Sequence, residues 1–320
     1  GDGSYGFVIR GKGTKLSSNS TNGVTLGNDT VFIYSADTKG DIENKTTLTA
    51  TGNKNYGIYS AGNVKNLADI NFGNGTGNVG IYSIAGGTAT NGNNTVKPTI
   101  RVSKSDIEKK IYGIGMAAGY TDDNGVTRQT GTIINYGTIK VENDNGIGMY
   151  ATGSGSKAIN NGTIELSGKN TKGMYVDNNA VGENWGIIKT VPTANNDGIL
   201  GVVATGGGVI KNYGQIIVDG PNNKAGYLGS TGTFSNETSG GTTGTVTNTG
   251  GAEGVVRKVS NPTSKTVAGI EIIAPSAATA ATIKINNNIV IPTVIDTNIS
   301  TPNPSVATVT SPDGTVTTID

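Results

Sequence analysis

The chain has 320 residues, 51 of them glycine, with no histidine, no cysteine and a formal net charge of +1. Without histidine or cysteine, Ser-His-Asp and Cys-His catalytic sites and zinc sites built from those residues are excluded. Balanced charge with no concentrated basic face argues against binding to nucleic acid. A hydrophobic content of 34% is low for one globule of this length, but it suits a thin repetitive core.

A short phrase, glycine followed by apolar and often tyrosine residues, recurs from the start of the chain. Its steps are 26, 25, 23, 35, 33, 25, 28, 25 and 28 residues, which predicts ten coils of about 25 residues. The phrase begins at Gly6, Phe32, Gly57, Gly80, Gly115, Gly148, Gly173, Gly201, Gly226 and Gly254.

A second phrase has the form Asn-x-Gly-x-Ile and begins at Asn135, Asn160, Asn184 and Asn212. Apolar residues alternate with polar ones after it, as in Thr138-Ile-Lys-Val, which is the pattern of a half-buried strand. A unit this short buries its apolar face only by stacking on copies of itself. With no helical pattern between the strands, we expect an all-β fold, a parallel β-helix (β-solenoid) of about ten or more coils over residues 1–285.

Two columns of side chains follow from this repeat. Strict alternation places the tyrosines of the first phrase, such as Tyr59 and Tyr150, on the outer face of their strands. There they either form a platform for sugar rings or a protein partner, or simply stabilise the sheet by stacking on one another, which is the favoured interpretation. The asparagines of the second phrase are expected to cap turns through a side-chain ladder.

Two steps are longer than the others, and they predict lateral insertions at 86–110 and 119–130. Insertions in a solenoid form loops on its side, and such loops often bind ligands, although long surface loops are also tolerated without any function. Within the first, Ser103–Lys110 suggests a short capped helical turn. The residues predicted to bind a partner are Lys104, Lys109, Lys110, Tyr120, Asp122, Asp123 and Arg128.

The acidic run Asp122-Asp123-Asn124 offers oxygen ligands of the kind that Ca²⁺ prefers. It lacks the spacing of a twelve-residue calcium loop, so an acidic turn is favoured, and no metal, cofactor or catalytic residue is predicted. After Val259 the repeat decays, and residues 286–320 are expected to form a terminal extension, a linker or an irregular final coil. The start at Gly1, without a signal peptide, suggests a segment of a longer protein.

The phrases Asn135-Tyr-Gly-Thr-Ile, Gly146-Ile-Gly-Met-Tyr and Asn160-Asn-Gly-Thr-Ile resemble the passenger repeats of large fusobacterial autotransporter adhesins. These belong to the type V secretion group that includes the arginine-inhibitable adhesin. The resemblance is strongest over 131–230. It implies a right-handed parallel β-helix that a C-terminal outer-membrane barrel, outside this segment, carries to the cell surface. It also implies attachment to host cells or other bacteria, but it transfers no residue-level binding motif.

Three hypotheses about function follow. The first is a monomeric, non-enzymatic passenger segment of a bacterial surface adhesin, an outer-membrane-linked virulence protein that binds a protein or glycan receptor through lateral loops. The second is a carbohydrate-active β-helix enzyme, which needs clustered carboxylates or Ca²⁺ with a basic residue on one face. The third is a structural spacer whose binding site lies elsewhere in a longer adhesin.

Overall fold

The computed structural model describes residues 2–11 and 13–257, together with four further strands at 265–267, 270–272, 307–310 and 316–319. The described part is all-β, without a helix, and forms a parallel β-solenoid of about ten turns with a repeat of about 25 residues. The fold predicted from the repeat is therefore confirmed. Among the described residues there is accordingly no helix that could span a membrane.

Nine successive coils each contribute one strand to each of three long sheets, which we call sheets A, B and C, and Glu253–Arg257 adds a tenth strand to sheet A. Sheet A carries the glycine-tyrosine phrase and has ten parallel strands. Its strands are Tyr5–Ile9, Val31–Ser35, Tyr56–Ser60, Val79–Ser83, Ile114–Ala118, Ile147–Thr152, Lys172–Asp177, Leu200–Ala204, Lys224–Leu228 and Glu253–Arg257.

Sheets B and C lie on either side of the Asn-x-Gly turn. The parallel strands of sheet B are Lys15–Ser18, Asp41–Asn44, Asn63–Asn66, Gly87–Asn91, Gly131–Asn135, Lys157–Asn160, Val181–Asn184, Val209–Asn212 and Thr233–Asn236. Those of sheet C are Val24–Leu26, Leu48–Ala50, Ile70–Asn71, Thr99–Arg101, Thr138–Val141, Thr163–Leu166, Ile187–Thr190, Gln215–Asp219 and Thr245–Thr249.

Short antiparallel pairs complete the described strands. Two are hairpins on the side of the solenoid, Tyr120–Thr121 with Thr127–Gln129 and Thr238–Ser239 with Thr242–Thr243. Lys265–Val267 pairs with Ile270–Ile272. Ala307–Thr310 pairs with Val316–Ile319 and extends sheet B by lying antiparallel to its first strand. Apart from these last two strands, the predicted extension at 286–320 lies outside the described residues.

The main core consists of like residues stacked on one another from coil to coil. In sheet C, Ile139 pairs in register with Ile164, which pairs with Ile188. In sheet A, the residue after the glycine forms a second such column, with Ile33, Ile58 and Ile81 fully buried. Parallel, in-register pairing of this kind is the reason that a repeated phrase produces a continuous apolar core.

The glycine column of sheet A is required by a close approach between coils. A Cβ added to Gly148 would lie 2.6 Å from the carbonyl oxygen of Gly173 and 3.0 Å from the Cγ2 of Ile164. It would therefore meet both the backbone of the next coil and the core side chains of sheet C. The glycine and the apolar residue after it both face the core, so the strict two-residue alternation of the strand is broken there. The residues on either side of the Gly-apolar pair then share one face, as Tyr56 and Tyr59 do.

The predicted exposure of the tyrosines is wrong. They form a second buried cluster, separate from the main core, in which Tyr82 is 1% and Tyr175 1% exposed. Their rings pack on one another, for example Tyr59 on Tyr82 at 4.9 Å between centroids. Tyr227 also belongs to this column, since it pairs with Val203, so the coil that contains it is shifted by one residue from the predicted phase.

The predicted asparagine ladder is confirmed. Along the turn between sheets B and C, each buried asparagine donates from Nδ2 to the Oδ1 of the asparagine one coil further on. Asn135, for example, donates to Asn160 at 2.9 Å, and its Oδ1 accepts from the backbone N–H of Gly137. The ladder members are Asn44, Asn66, Asn91, Asn135, Asn160, Asn184, Asn212 and Asn236.

Candidate functional site

Two projections leave the solenoid at the two ends of one strand of sheet A, Ile114–Ala118. The first, the 103–112 loop, precedes this strand, and the second, the 120–129 hairpin, follows it. In the rest of the interval 86–110, Gly87–Asn91 and Thr99–Arg101 are ordinary strands of sheets B and C, and a shorter extra loop, 92–98, replaces the two-residue turn between them. The two longest steps of the repeat therefore each include one of the two projections at the ends of this strand.

The 103–112 loop is a turn closed by two backbone hydrogen bonds between Asp106 and Ile111, at 2.8 and 2.9 Å. The predicted helical turn is therefore wrong, although Asp106 does accept a hydrogen bond from the backbone N–H of Lys109. That hydrogen bond is the main reason that the pKa of Asp106 lies below its usual value. At the tip, Ile107 is 53% exposed, and Lys109 forms a 3.3 Å ion pair with Asp106.

Asp122 organises the tip of the 120–129 hairpin. Its Oδ1 accepts from the backbone N–H groups of Asn124 at 3.0 Å and Val126 at 2.9 Å, and its Oδ2 accepts from Arg128 Nε at 2.7 Å. These contacts, first of all the N–H of Val126, hold the pKa of the Asp122 carboxyl below its usual range. Asp122 and Arg128 thus stabilise the turn, and neither has its full charge available to a partner.

The 120–129 hairpin folds over the neighbouring coils and encloses a pocket of about 330 Å³. The hydroxyl of Thr152 donates to that of Thr121 at 2.8 Å, which fixes the hairpin to the next strand of sheet A. We call this cavity the hairpin pocket. It is lined by Tyr120, Thr121, Asp122, Asp123, Asn124, Gly125, Tyr150, Thr152, Asp177 and Asn178.

The floor of the hairpin pocket is a buried hydrogen bond. The hydroxyl of Tyr150 donates to Asp177 Oδ2 at 2.8 Å, and both side chains are almost fully buried. Burial, and secondarily the carboxylate of Asp177, raises the pKa of Tyr150 well above its ordinary value. The Nδ2 of Asn178 donates to Thr152 Oγ1 and to Asp177 Oδ1. This floor is buried and hydrogen-bonded, while the rim carries the exposed polar groups of Asp123 and Asn124.

The structure brings some of the predicted binding residues together. Tyr120, Asp122 and Asp123 line the hairpin pocket, and Arg128 joins them through Asp122. Lys104, Lys109 and Lys110 are exposed on the other projection and do not line it. Among the described residues, no group of three acidic side chains is placed to hold a metal ion.

Sequence reasoning missed the floor of the hairpin pocket, namely Tyr150, Thr152, Asp177 and Asn178. These residues belong to the two coils that follow the hairpin, in strands that pair Thr152 with Asp177. The 25-residue step identifies which residues are neighbours in adjacent coils. It does not indicate over which coils an insertion folds, so the repeat alone could not assign this floor.

A second concavity lies on the outer face of sheet B in the first four coils, with a volume of about 610 Å³. Among its outward side chains, Asp41 pairs in register with Lys15 of the preceding coil, and Glu43 pairs with Lys65 of the following coil. Further along the solenoid, Glu165 is likewise flanked by Lys140 and Lys189. Lysines in adjacent coils thus lie opposite these acidic residues, and those beside Glu165 form ion pairs with it.

A comparison with protein families decides the family of the chain. Residues 2–186, more than half of it, match the model of the BigA third pectate lyase-like domain. The chain belongs to this family. The BigA-type match covers both projections and the whole hairpin pocket. Neither the curated proteins nor the solved structures contain a significant match. The family match does not distinguish fusobacterial adhesins, so that resemblance stays a prediction.

Proposed function

We propose that this chain is the passenger segment of a bacterial cell-surface adhesin, and that it attaches the cell to a receptor on host cells or other bacteria. One observation carries the proposal: the regular coils of a BigA-type β-helix are interrupted by two adjacent projections, one of which encloses a polar pocket. A solenoid is stiff because every strand pairs with its neighbours, so it presents lateral loops at a fixed distance from its anchor.

The chemistry of the hairpin pocket suits a hydroxyl-rich or cationic group on the receptor. Its rim offers the carboxylate of Asp123 and the amide of Asn124, both exposed, and its wall offers the hydroxyls of Thr121 and Thr152. Carboxylates accept strong hydrogen bonds from sugar hydroxyls and from lysine or arginine side chains. A neutral glycan or a basic peptide loop therefore fits better than an anionic ligand.

We further propose that the segment acts without catalysis, despite the enzyme in its family's name. Glycoside hydrolysis needs two carboxyl groups free to exchange protons on either side of the bond. In the hairpin pocket, Asp122 is engaged by Arg128, and Asp177 accepts the hydroxyl of Tyr150. Release of reducing sugar or of unsaturated uronate from mixed polysaccharides by the purified segment would support the enzyme instead.

The proposal is tested by binding of the purified segment to a panel of host cells and bacteria. We expect saturable binding to at least one cell type, lost when Asp123→Lys and Asn124→Lys are introduced together at the exposed rim. Reversing the charge there leaves the Asp122 contacts in place, so circular dichroism should be unchanged. Absence of binding to every cell type would leave the spacer as the better account.

A further inference from the structure

A row of aromatic side chains lies along the turn between sheets B and C, on a different part of the solenoid from the hairpin pocket. The middle residues of successive Asn-x-Gly turns are Tyr136, Asn161, Trp185 and Tyr213. Each turn is hydrogen-bonded to the previous one, since the N–H of Asn161 donates to Asn135 O at 2.7 Å and that of Trp185 to Asn160 O at 2.8 Å. The four side chains therefore protrude one coil apart.

The indole of Trp185 is held by one stacked ring and one hydrogen bond, and the residue remains partly exposed. Its ring lies parallel to that of Tyr213, with 3.8 Å between centroids and 4° between planes. Its Nε1–H donates to Glu183 Oε2 at 3.0 Å. Tyr213 comes from the following coil and covers one face. The opposite face is directed to the preceding coil, where the middle residue of the turn is the exposed Asn161. Trp185 is 42% exposed.

Tyr136 lies in the coil before Asn161, and Trp185 lies in the coil after it. Tyr136 and Trp185 are therefore two coil steps apart, which is about 10 Å at a strand spacing of about 4.8 Å. A ring in van der Waals contact with both aromatics, at about 3.5–4.0 Å from each, needs about 7–8 Å. Lys97 belongs to the coil before Tyr136 and packs 5.4 Å from the centre of its ring. The space over Asn161 is therefore wide enough for one further ring.

We propose that Tyr136, Asn161 and Trp185 form a slot for one pyranose ring of a glycan. The apolar C–H face of the sugar stacks on Trp185, and Asn161 at the base of the slot supplies both a donor and an acceptor for the hydroxyls. Thr163, which follows in sheet C and is partly exposed, adds a hydroxyl at the side. An open aromatic face beside neutral polar groups is complementary to a ring with an apolar face and a hydroxyl rim.

The surrounding charges favour a neutral sugar over a nucleic-acid base, the other common ring that stacks on aromatics. Stacked bases bring phosphates, which require free cations along the strand. The nearest lysines of sheet C, Lys140 and Lys189, both form ion pairs with Glu165, at 3.7 and 3.6 Å. Glu183 adds a negative charge at the indole itself. Apart from Lys97, which lies over the ring of Tyr136, these lysines are already paired with Glu165, so the slot lacks the row of free cations that a phosphate backbone requires.

Trp185 is the single tryptophan of the chain, so its fluorescence reports on the slot directly. The intact segment is titrated with neutral gluco-, manno-, galacto- and N-acetylglucosamine oligosaccharides, representing both bacterial polysaccharide and host glycans. We expect at least one of them to shift or quench the emission saturably. Calorimetry with that sugar then compares variants. If no sugar on the panel changes the emission, the proposal is overturned.

The decisive variant is Asn161→Trp, which fills the slot and continues the aromatic row. If the row serves only to stabilise the turn, this variant binds the sugar as the wild type does, and the proposal fails. If the slot takes a sugar, binding weakens at least tenfold, while the urea midpoint is unchanged or higher because stacking is extended. Lys45→Trp, at the same turn position in a coil without aromatic neighbours, is the matched control and should bind normally.

Discussion

The asparagine ladder makes a quantitative prediction about what holds the coils in register. Asn160 lies in its middle, where its Oδ1 accepts from Asn135 Nδ2 and its Nδ2 donates to Asn184 Oδ1, each at 2.9 Å. The change Asn160→Ala removes both bonds, together with the longer bonds from its Nδ2 to the carbonyl oxygens of Gly162 and Ile187 at 3.2 and 3.3 Å, and leaves two buried ladder amides with one partner fewer. Each such loss costs about 1–3 kcal/mol. Asn135 Nδ2 keeps a bond to Gly137 O, so we expect a total of about 2–4 kcal/mol.

The measurement is urea unfolding, followed by far-ultraviolet circular dichroism and by the fluorescence of Trp185, one coil from the change. With a denaturant slope of about 3 kcal/mol per molar, the midpoint should fall by about 1 M. The control is Asn161→Ala, the exposed neighbour, which should change stability by less than about 0.5 kcal/mol. Equal shifts for the two variants would refute the claim that the buried ladder amides contribute more to stability than the exposed turn residues do.

Three further predictions concern sheet A. Gly148→Ala should lower the free energy of unfolding by at least about 2 kcal/mol, because the added Cβ meets the backbone of the next coil. The control Gly73→Ala, where the nearest atom would be 3.7 Å from the added Cβ, should leave it unchanged. Equal urea midpoints for the two variants would contradict the close approach. Burial lowers the pKa of Lys172 to about 8, so the unfolded chain binds more protons between pH 8 and 10.5 and wild-type stability rises there. Lys172→Met should therefore stabilise at pH 7 and lose this advantage above about pH 10.5; a gain independent of pH would contradict it. Burial raises the pKa of Tyr56 and Tyr82, so their stabilisation is complete below pH 10 and is lost above it. In an absorbance titration of the folded segment, several phenols should ionise only when the segment unfolds, whereas in the urea-unfolded chain they should titrate near pH 10. The same titration curve for the folded and the unfolded chain would refute the burial of these tyrosines.

Much of the fold followed from the sequence, because a solenoid repeats one set of local rules. The core column containing Ile58 and the ladder containing Asn135 were both identified by the 25-residue step. The buried tyrosines were not, since alternation assumes that every residue turns the chain to the other face. The inward glycines break this rule, as Gly57 does between Tyr56 and Ile58. The shift at Tyr227 arises because Ala225 occupies the usual glycine position there.

The candidate sites were predictable to different degrees. Insertion length located the 120–129 hairpin, and residue type selected Asp122 and Asp123. The floor of the hairpin pocket depends on which coils the hairpin covers, which is a tertiary property that the repeat does not contain. The stack of Trp185 on Tyr213 was predictable in principle. Both residues follow a ladder asparagine, in adjacent coils, and in-register stacking of these turns places their rings side by side.

The most direct test of the adhesive role compares three forms of the segment on the same panel of cells. In one, Asn-Gly replaces residues 122–126, which closes the 120–129 hairpin with a two-residue turn and removes the rim of the hairpin pocket. In the control, Asn-Gly replaces residues 238–243, the other lateral hairpin. We predict that the first form loses binding while the control and the intact segment bind equally, with identical β-rich circular dichroism. Undiminished binding by the first form would contradict a receptor site at the hairpin pocket.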